Sequence, residues 1–201
     1  MKLIIYFKKY FFLFFLLLSF FSYSQTELKF NTVTALILVP NIGIEVGFTN
    51  HLSFQLDATA SFWDSFNGAP LQMVQVFPEF RYYPKENLKG LFIGGHVGFG
   101  MFTLTKNRFP EFVEKGNYTN DQQMSGRNTY YGITLGYKKF INQKFGYEVF
   151  IGGGTSQANY RGYSYINRTR YDVPIGETRN FNKSGEWLPY RGGVMLLYRI
   201  N

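Results

Sequence analysis

Seven polar side chains in this sequence could form a charged network or an acid–base site. Each lies in a segment where apolar and polar residues alternate, and each occupies a polar or glycine-bearing position. Alternation with a period of two is typical of a β-strand with one apolar and one polar face. We therefore predict that all seven project into the lumen of a closed sheet. They are Glu45, Asp57, Glu79, Arg81, His96, Glu148 and Arg191.

Carboxylates and arginines that share a narrow interior can form ion pairs or transfer protons. At about 4 Å, one pair is worth roughly 4 kcal/mol at an effective dielectric constant of about 20. Loss of hydration offsets much of that gain, so such pairs indicate an ordered interior better than they indicate net stability. We favour this structural interpretation, and proton or ligand chemistry is the alternative.

His96 is the candidate for a catalytic base. It lies among Gly94, Gly95 and Gly98, a setting that suits a lumen histidine hydrogen-bonded to a carboxylate. As a base it could serve a membrane acyl hydrolase or acyltransferase, but no Ser or Asp partner stands at a motif spacing from it. We expect no catalytic residue and no enzyme, and a lipid-modifying enzyme that uses His96 is the alternative function.

Other kinds of site have little support in the sequence. With two His, no Cys and no clustered acidic loop, no metal site is expected. The glycine-rich run around His96 is not followed by a helix that could hold a phosphate, so no cofactor is expected either. Lys and Arg are scattered rather than arranged in a stripe, and this argues against a nucleic-acid partner.

The same alternation predicts the strands that would position these residues. Short connections follow the second, fourth and sixth strands, the first two strands join tightly through Pro40-Asn41, and the segments 105–127 and 161–186 form long polar loops. Short turns at one end and long loops at the other are typical of outer-membrane barrels. The predicted fold class is all-β, an antiparallel up-and-down transmembrane β-barrel of about eight strands. Their predicted ranges are 28–38, 42–49, 52–63, 73–83, 91–104, 128–140, 145–160 and 187–200.

Aromatic residues make up 20% of the chain, far more than a domain surrounded by water needs. Barrels in lipid carry aromatic girdles at both membrane boundaries, so we expect belts of aromatic residues at these two levels. The belt near the short turns would contain Phe48, Tyr82, Tyr83, Tyr137, Phe140 and Tyr147. The belt near the long loops would contain Phe62, Trp63, Tyr130, Tyr131, Trp187 and Tyr190.

The beginning of the chain predicts export. Lys8 and Lys9 precede an unbroken apolar run at 10–18, and Ser22-Tyr23-Ser24 places small residues where a signal peptidase reads them. The run is shorter than the roughly 20 residues of a helical membrane span. We predict a signal peptide at 1–24, cleaved after Ser24, and one outer-membrane β-barrel domain at 25–201. Removing Lys2, Lys8 and Lys9 lowers the formal net charge from +8 to +5.

Four short blocks look like the successive signatures of a family of small outer-membrane barrels that is catalogued as a domain of unknown function. The resemblance covers residues 28–102 best, and the Pro-Glu-x-Arg-Tyr block is its most specific part. By architecture the chain is also similar to the OmpA and OmpX class. The resemblance implies the fold and the cell outer membrane as location, and it implies no reaction or ligand. The blocks are Leu28-Lys29-Phe30-Asn31, residues 41–47, Pro78-Glu79-Phe80-Arg81-Tyr82-Tyr83 and Gly94-Gly95-His96.

Two classes of function follow. In the first, the barrel is a structural anchor or interaction scaffold with a filled, non-conducting lumen. Its expected partners are outer-membrane lipid, lipopolysaccharide and a protein bound through loops 105–127 and 161–186, which mix basic and aromatic residues. The second class is the lipid-modifying enzyme. A lipocalin-like barrel is a third architecture, disfavoured because its outer face should be polar. We expect the first.

Overall fold

The structure, a computed structural model, describes residues 25–64, 70–104, 122–164, 167–170, 172 and 182–200. The strands pair in chain order, and the first also pairs with the last, which closes an antiparallel up-and-down barrel. The predicted all-β class and eight-stranded topology are confirmed. The elements are β1 (Thr26–Asn31), α1 (Thr32–Leu36), β2 (Asn41–Gly47), β3 (Leu52–Asp64), β4 (Pro70–Tyr82), β5 (Gly90–Leu104), β6 (Gln122–Phe140), β7 (Phe145–Ser164) and β8 (Asn182–Arg199).

Some predictions fall on segments that the structure does not describe. The predicted signal peptide, residues 1–24, lies outside the described residues, as do 105–121 of the first predicted long loop and 165–166, 171 and 173–181 of the second. Among the residues that are described, no helix is long and apolar enough to cross a membrane.

The first predicted strand, 28–38, was wrong in its second half. Asn31 ends β1, and its side-chain oxygen accepts hydrogen bonds from the backbone N–H groups of Val33 (3.2 Å) and Thr34 (3.4 Å). This N-cap satisfies donors that a helix would otherwise leave free, so α1 begins directly after the strand. Leu38 has a φ of +59° in the turn that follows. The predicted tight hairpin through Pro40-Asn41 is therefore replaced by a helical connection.

The later strands are longer than the sequence predicts. β6 begins at Gln122 instead of 128, β7 continues to Ser164, and β8 begins at Asn182. Their ladder continues to the pair Gln122↔Ser164, so backbone pairing extends through a polar stretch that lacks apolar alternation. The connections after β5 and β7 shorten accordingly to residues 105–121 and 165–181.

The two faces of the barrel reverse the usual arrangement of proteins surrounded by water. Charged and polar side chains are buried in the lumen, whereas such residues are seldom fully buried elsewhere. Large apolar side chains point outward from every strand, and many remain exposed. Among them are Leu28, Phe30, Ile42, Ile44, Leu56, Phe80, Leu91, Ile93, Phe99, Met101, Ile133, Leu135, Val149, Ile151 and Leu196.

Four aromatic residues assigned to the belts lie inside instead. Tyr83 and Tyr130 are buried, Tyr190 contacts buried rings, and Phe140 packs against the buried apolar cluster near the short turns. Tyr83 lies two residues beyond Arg81 and therefore shares its inward face, while its neighbour Tyr82 points outward. The belt prediction was wrong for these four because it used only their position along the strand and ignored which face of the strand each side chain occupies.

A small apolar cluster fills the lumen near the short turns. Leu88, from the connection between β4 and β5, folds over this end, and its backbone N–H donates to the carbonyl of Asn50 (3.2 Å). The cluster packs among the charged residues at this end of the barrel, with Arg81 over the ring of Phe92 and Lys138 over the ring of Tyr83. Its members are Tyr83, Leu88, Phe92, Phe150, Met195 and Leu197.

Candidate functional site

The seven polar residues singled out in the sequence all lie in the lumen, on six different strands. All of their side chains are almost completely buried, including Arg191 with 6% exposed. The structure arranges them in two linked groups, which we call the turn-side cluster and the loop-side cluster. The turn-side cluster comprises Glu27, Lys29, Glu45, Arg81, Lys138, Glu148 and Arg199. The loop-side cluster comprises Asp57, Glu79, His96, Thr134, Tyr190 and Arg191.

Glu45 and Glu148 are the acidic centres of the turn-side cluster. Arg81 donates from Nη1 to both oxygens of Glu148, each at 2.9 Å. Lys29 Nζ lies 2.5 Å from Glu148 and also pairs with Glu45. Lys138 Nζ lies 3.1 Å from Glu45 Oε2, the oxygen that also pairs with Lys29. Two carboxylates are thus shared among three cations, far from solvent.

Hydrogen bonds extend the turn-side cluster in both directions. Tyr83 donates its hydroxyl to Glu45 at 2.8 Å. Lys138 and Arg199 both donate to Glu27, at 2.8 and 2.9 Å. Arg199 also lies over the ring of Phe140, 3.8 Å from its centroid, which adds a cation–π contact at the end of the barrel.

Glu79 joins the two clusters. Its Oε1 accepts from Arg81 Nε at 2.7 Å, and its Oε2 accepts from Arg191 Nη1 at 2.5 Å. Arg191 also forms an ion pair with Asp57, which accepts further hydrogen bonds from Gln55 (3.0 Å) and Asn41 (3.3 Å). Each carboxylate of the loop-side cluster therefore has several donors.

His96 lies in a chain of hydrogen bonds, and its neighbours in that chain determine which ring nitrogen donates and which accepts. Thr134 has one hydroxyl proton and donates it to Glu79 at 3.0 Å. The 3.0 Å contact between Thr134 and His96 Nδ1 then requires a proton on that nitrogen. His96 Nε2 is left as the acceptor for the Tyr190 hydroxyl at 2.6 Å. Both ring nitrogens of a neutral histidine are thus engaged.

Tyr190 reaches His96 because of a β-bulge. Arg191 lies opposite Gly152, while Pro189 lies opposite Gly153, so Tyr190 is the extra residue of β8. A bulge of this kind turns two consecutive side chains to one face, and Tyr190 and Arg191 both enter the lumen. A proline inside a predicted strand was the signal that could have revealed it, because strand prolines concentrate at edges and bulges.

Aromatic rings fill the lumen on the loop side of His96. Phe77 stacks on Tyr190 with ring centroids 6.1 Å apart and also contacts Tyr130 at 5.3 Å. Gln75 and Asn128 both donate to the Tyr130 hydroxyl, at 2.9 and 2.8 Å. These rings pack against one another inside the lumen, next to the ion pairs of the loop-side cluster.

The buried charges balance. Among the described residues, five lumen carboxylates meet five cations, and His96 is neutral in the tautomer derived above. No group of three or more His, Asp or Glu side chains in the described ranges could hold a metal ion. The arrangement can align dipoles and hold protons, and it leaves no net charge to attract an ion. The carboxylates are Glu27, Glu45, Asp57, Glu79 and Glu148, and the cations are Lys29, Arg81, Lys138, Arg191 and Arg199.

The Glu79 side chain packs directly against Gly94, which has no side chain of its own. A Cβ at Gly94 would lie 2.9 Å from Glu79 Cδ, whereas a Cβ at the outward-facing Gly95 would meet no atom within 4 Å. We expect Gly94→Ala to lower the free energy of unfolding by about 1–3 kcal/mol, the usual cost of overpacking. Gly95→Ala is the matched control and should leave it unchanged or raise it by up to about 1 kcal/mol. Urea titration of the folded barrel measures the free energy of unfolding of both variants. Equal effects would contradict the close contact between Gly94 and Glu79.

The chain matches one family model over residues 10–200, a range that includes every strand of the barrel. That model describes a protein of unknown function, DUF3575. No curated protein and no solved structure matches the chain. The expected resemblance to a family of unknown function is thereby confirmed at that level. Because the match covers nearly the whole sequence, the chain belongs to the DUF3575 family of proteins of unknown function.

Proposed function

We propose that this protein resides in the bacterial outer membrane as a structural anchor or interaction scaffold with a filled lumen. The observation that carries the proposal is the reversed polarity of the barrel. Exposed Leu, Ile, Phe and Val side chains surround it, while the charged residues of the turn-side and loop-side clusters lie inside. A contiguous apolar surface of this extent marks a membrane or protein interaction site, and a closed barrel leaves no backbone edge unsatisfied in lipid.

The lengths of the strands support a scaffold that rises above the membrane. β6 and β7 contain 19 and 20 residues, roughly twice the 9–11 residues with which a tilted strand crosses a bilayer. Their excess length lies on the side of the long connections. The loops would thus be raised toward a partner, and lipid, lipopolysaccharide or a protein bound through 105–127 and 161–186 remain our proposed partners.

The lumen residues support an anchor better than an enzyme. Both ring nitrogens of His96 are engaged, and its partners Thr134 and Tyr190 belong to the same buried network. We propose that His96 orients this network. The lipid-modifying alternative would require a substrate to replace one of these internal hydrogen bonds.

Cell fractionation tests the proposed location. We expect the mature chain in the outer-membrane fraction, resistant to extraction with carbonate, because its apolar outer face would be solvated by lipid. We also expect boiling to change its mobility in a gel, since a folded barrel binds less detergent than an unfolded chain. Recovery in the soluble periplasm without detergent would contradict the proposal.

Planar-bilayer recording tests the filled lumen. A barrel of about eight strands has an interior just wide enough for side chains, and here Phe77, Phe150, Glu79 and Arg81 are buried inside it. We therefore expect no stable open pore after insertion of the purified protein. An established porin in the same bilayers serves as the positive control. Large, long-lived conductance steps from the barrel would disprove the filled lumen.

A further inference from the structure

The barrel wall is incomplete on one side at the loop end. β1 pairs with β8 only from Glu27↔Arg199 to Asn31↔Met195, although β8 begins at Asn182. β2 pairs with β3 only as far as Asn41↔Thr59, although β3 continues to Asp64. In the space between these two longer strands lie α1 and residues 37–40, and the Pro40 carbonyl accepts from the Ala60 N–H at 3.1 Å. We call this space the side notch.

The side notch begins at a height that lipid would reach. β1 and β2 have 6 and 7 residues, fewer than the 9–11 that cross a bilayer. Six residues extend roughly 20 Å along a strand, and a tilt of about 35–45° reduces this to roughly 15 Å across a band about 25 Å thick. The notch would therefore open into the outer half of the membrane.

A cavity of about 210 Å³ lies behind the side notch. Thr34, Ile37 and Val39 line it from the α1 side, and Asn41, Tyr190 and Arg191 line it from the lumen. The cavity thus lies between the α1 side of the barrel wall and the polar groups of the loop-side cluster.

The surface around the side notch is apolar. Leu36 is 81% exposed and Ile37 60% exposed on the α1 side, and Phe30 and Ile42 lie exposed on the strands below. These residues continue the outer apolar face of the barrel. A molecule that enters from this side would therefore come from the hydrocarbon phase.

We propose that the cavity behind the side notch binds the uncharged, hydroxyl-bearing head of a membrane lipid whose acyl chain stays in the outer leaflet. The inference rests on the proposed membrane location. The cavity is smaller than the roughly 300–1,000 Å³ that encloses a drug-sized ligand, so it suits a head group alone. Arg191 already pairs with Asp57 and Glu79, so the cavity offers hydrogen bonds without a net charge for an ionic head.

Photolabelling of the full-length protein in phosphatidylcholine vesicles tests this proposal. The probe is a monoacylglycerol with a diazirine close to its ester bond. We expect saturable labelling of residues 34–39 and 190–192. Unlabelled monoacylglycerol should compete, and lysophosphatidic acid with the same chain should not, because the two differ only in the phosphate.

Two variants on α1 provide a matched pair. Thr34→Trp should fill the cavity and abolish the saturable labelling, whereas Leu36→Trp, at an exposed position outside the cavity lining, should keep it. Heat-modifiable gel mobility checks that each variant folds. Because the competition uses the wild-type protein, it remains decisive if Thr34→Trp does not fold.

The contrary outcomes are distinguishable. Unsaturable labelling spread over the outer face, in a protein that floats with the vesicles, would overturn the cavity site and leave the proposed membrane location intact. Stronger competition by lysophosphatidic acid would overturn the uncharged head group. A wild-type protein that does not float with the vesicles would overturn the proposed location and this inference together.

Discussion

Replacing Glu79 with alanine is expected to lower the free energy of unfolding by roughly 3–5 kcal/mol, the cost of breaking a buried ion pair by removing one partner. Glu79 is completely buried and accepts from Arg81 at 2.7 Å and from Arg191 at 2.5 Å. Its loss would leave two guanidinium groups without one of their carboxylates in a lumen that water scarcely reaches. Arg81 retains Glu148 and Arg191 retains Asp57, so the barrel should still assemble.

Urea titration in detergent micelles measures the effect of Glu79→Ala. Glu86→Ala is the matched control, because Glu86 is exposed in the connection between β4 and β5, and surface substitutions usually change stability by less than about 0.5 kcal/mol. If both variants unfold like the wild type, Glu79 does not face a charged lumen. A register error of one residue in β4 would have that consequence, because it turns every side chain to the other face.

His96→Ala complements the Glu79 experiment by separating the two classes of function. If His96 only orients Thr134 and Tyr190, its removal should leave the lipid composition of the membrane unchanged. Loss of a change in lipid acylation that the wild-type protein causes, with stability unaffected, would favour the enzyme.

Leu135→Arg is expected to destabilise the barrel by roughly 2–4 kcal/mol in phospholipid vesicles, as charged residues do near the bilayer midplane of outer-membrane barrels. Leu135 points outward from β6 with 52% of its surface exposed, between Ile93 and Ile151 on the neighbouring strands. It lies five residues from the end of β6 at Phe140. With tilt, this is roughly 12 Å, about half the height of the apolar band.

Ile141→Arg is the control for Leu135→Arg. Ile141 is 73% exposed but lies in the short turn between β6 and β7, where the cost of a charge should fall to about 0–1 kcal/mol. Refolding titrations in the same vesicles measure both variants. Equal and small effects would mean that water rather than lipid surrounds Leu135, and the proposed membrane location would then fail.

The inward face of each strand was predictable from local pattern. Glu45, Asp57, Glu79, Arg81 and Glu148 occupy alternate positions with apolar neighbours, and a period of two assigns a side chain to one face without knowledge of its partner. The closed eight-stranded topology followed from the number of such segments and the alternation of short and long connections. The predicted signal peptide and the loop partners rest on sequence alone and stay predictions.

The exceptions arise where a local interaction competes with the strand pattern. Residues 32–38 contain apolar residues that suit a strand, but the Asn31 side chain caps α1 and ends β1. Tyr190 shares the lumen face with Arg191 because of a bulge opposite Gly152 and Gly153. Counting alternate residues along the chain assigns the wrong face at both positions, because the helix and the bulge each interrupt the period of two.

The partners of the lumen charges could be read only from the tertiary structure. Lys29 meets Glu148 across 119 positions of sequence, and Arg191 meets Glu79 across 112. Outside α1 and the β8 bulge, the sequence by itself determined which side chains turn inward, because facing is a local property of a strand. Pairing depends on the register at which β1 closes on β8 and on the width of the lumen. Both are properties of the whole barrel, so only the closed structure decided which carboxylate each cation meets.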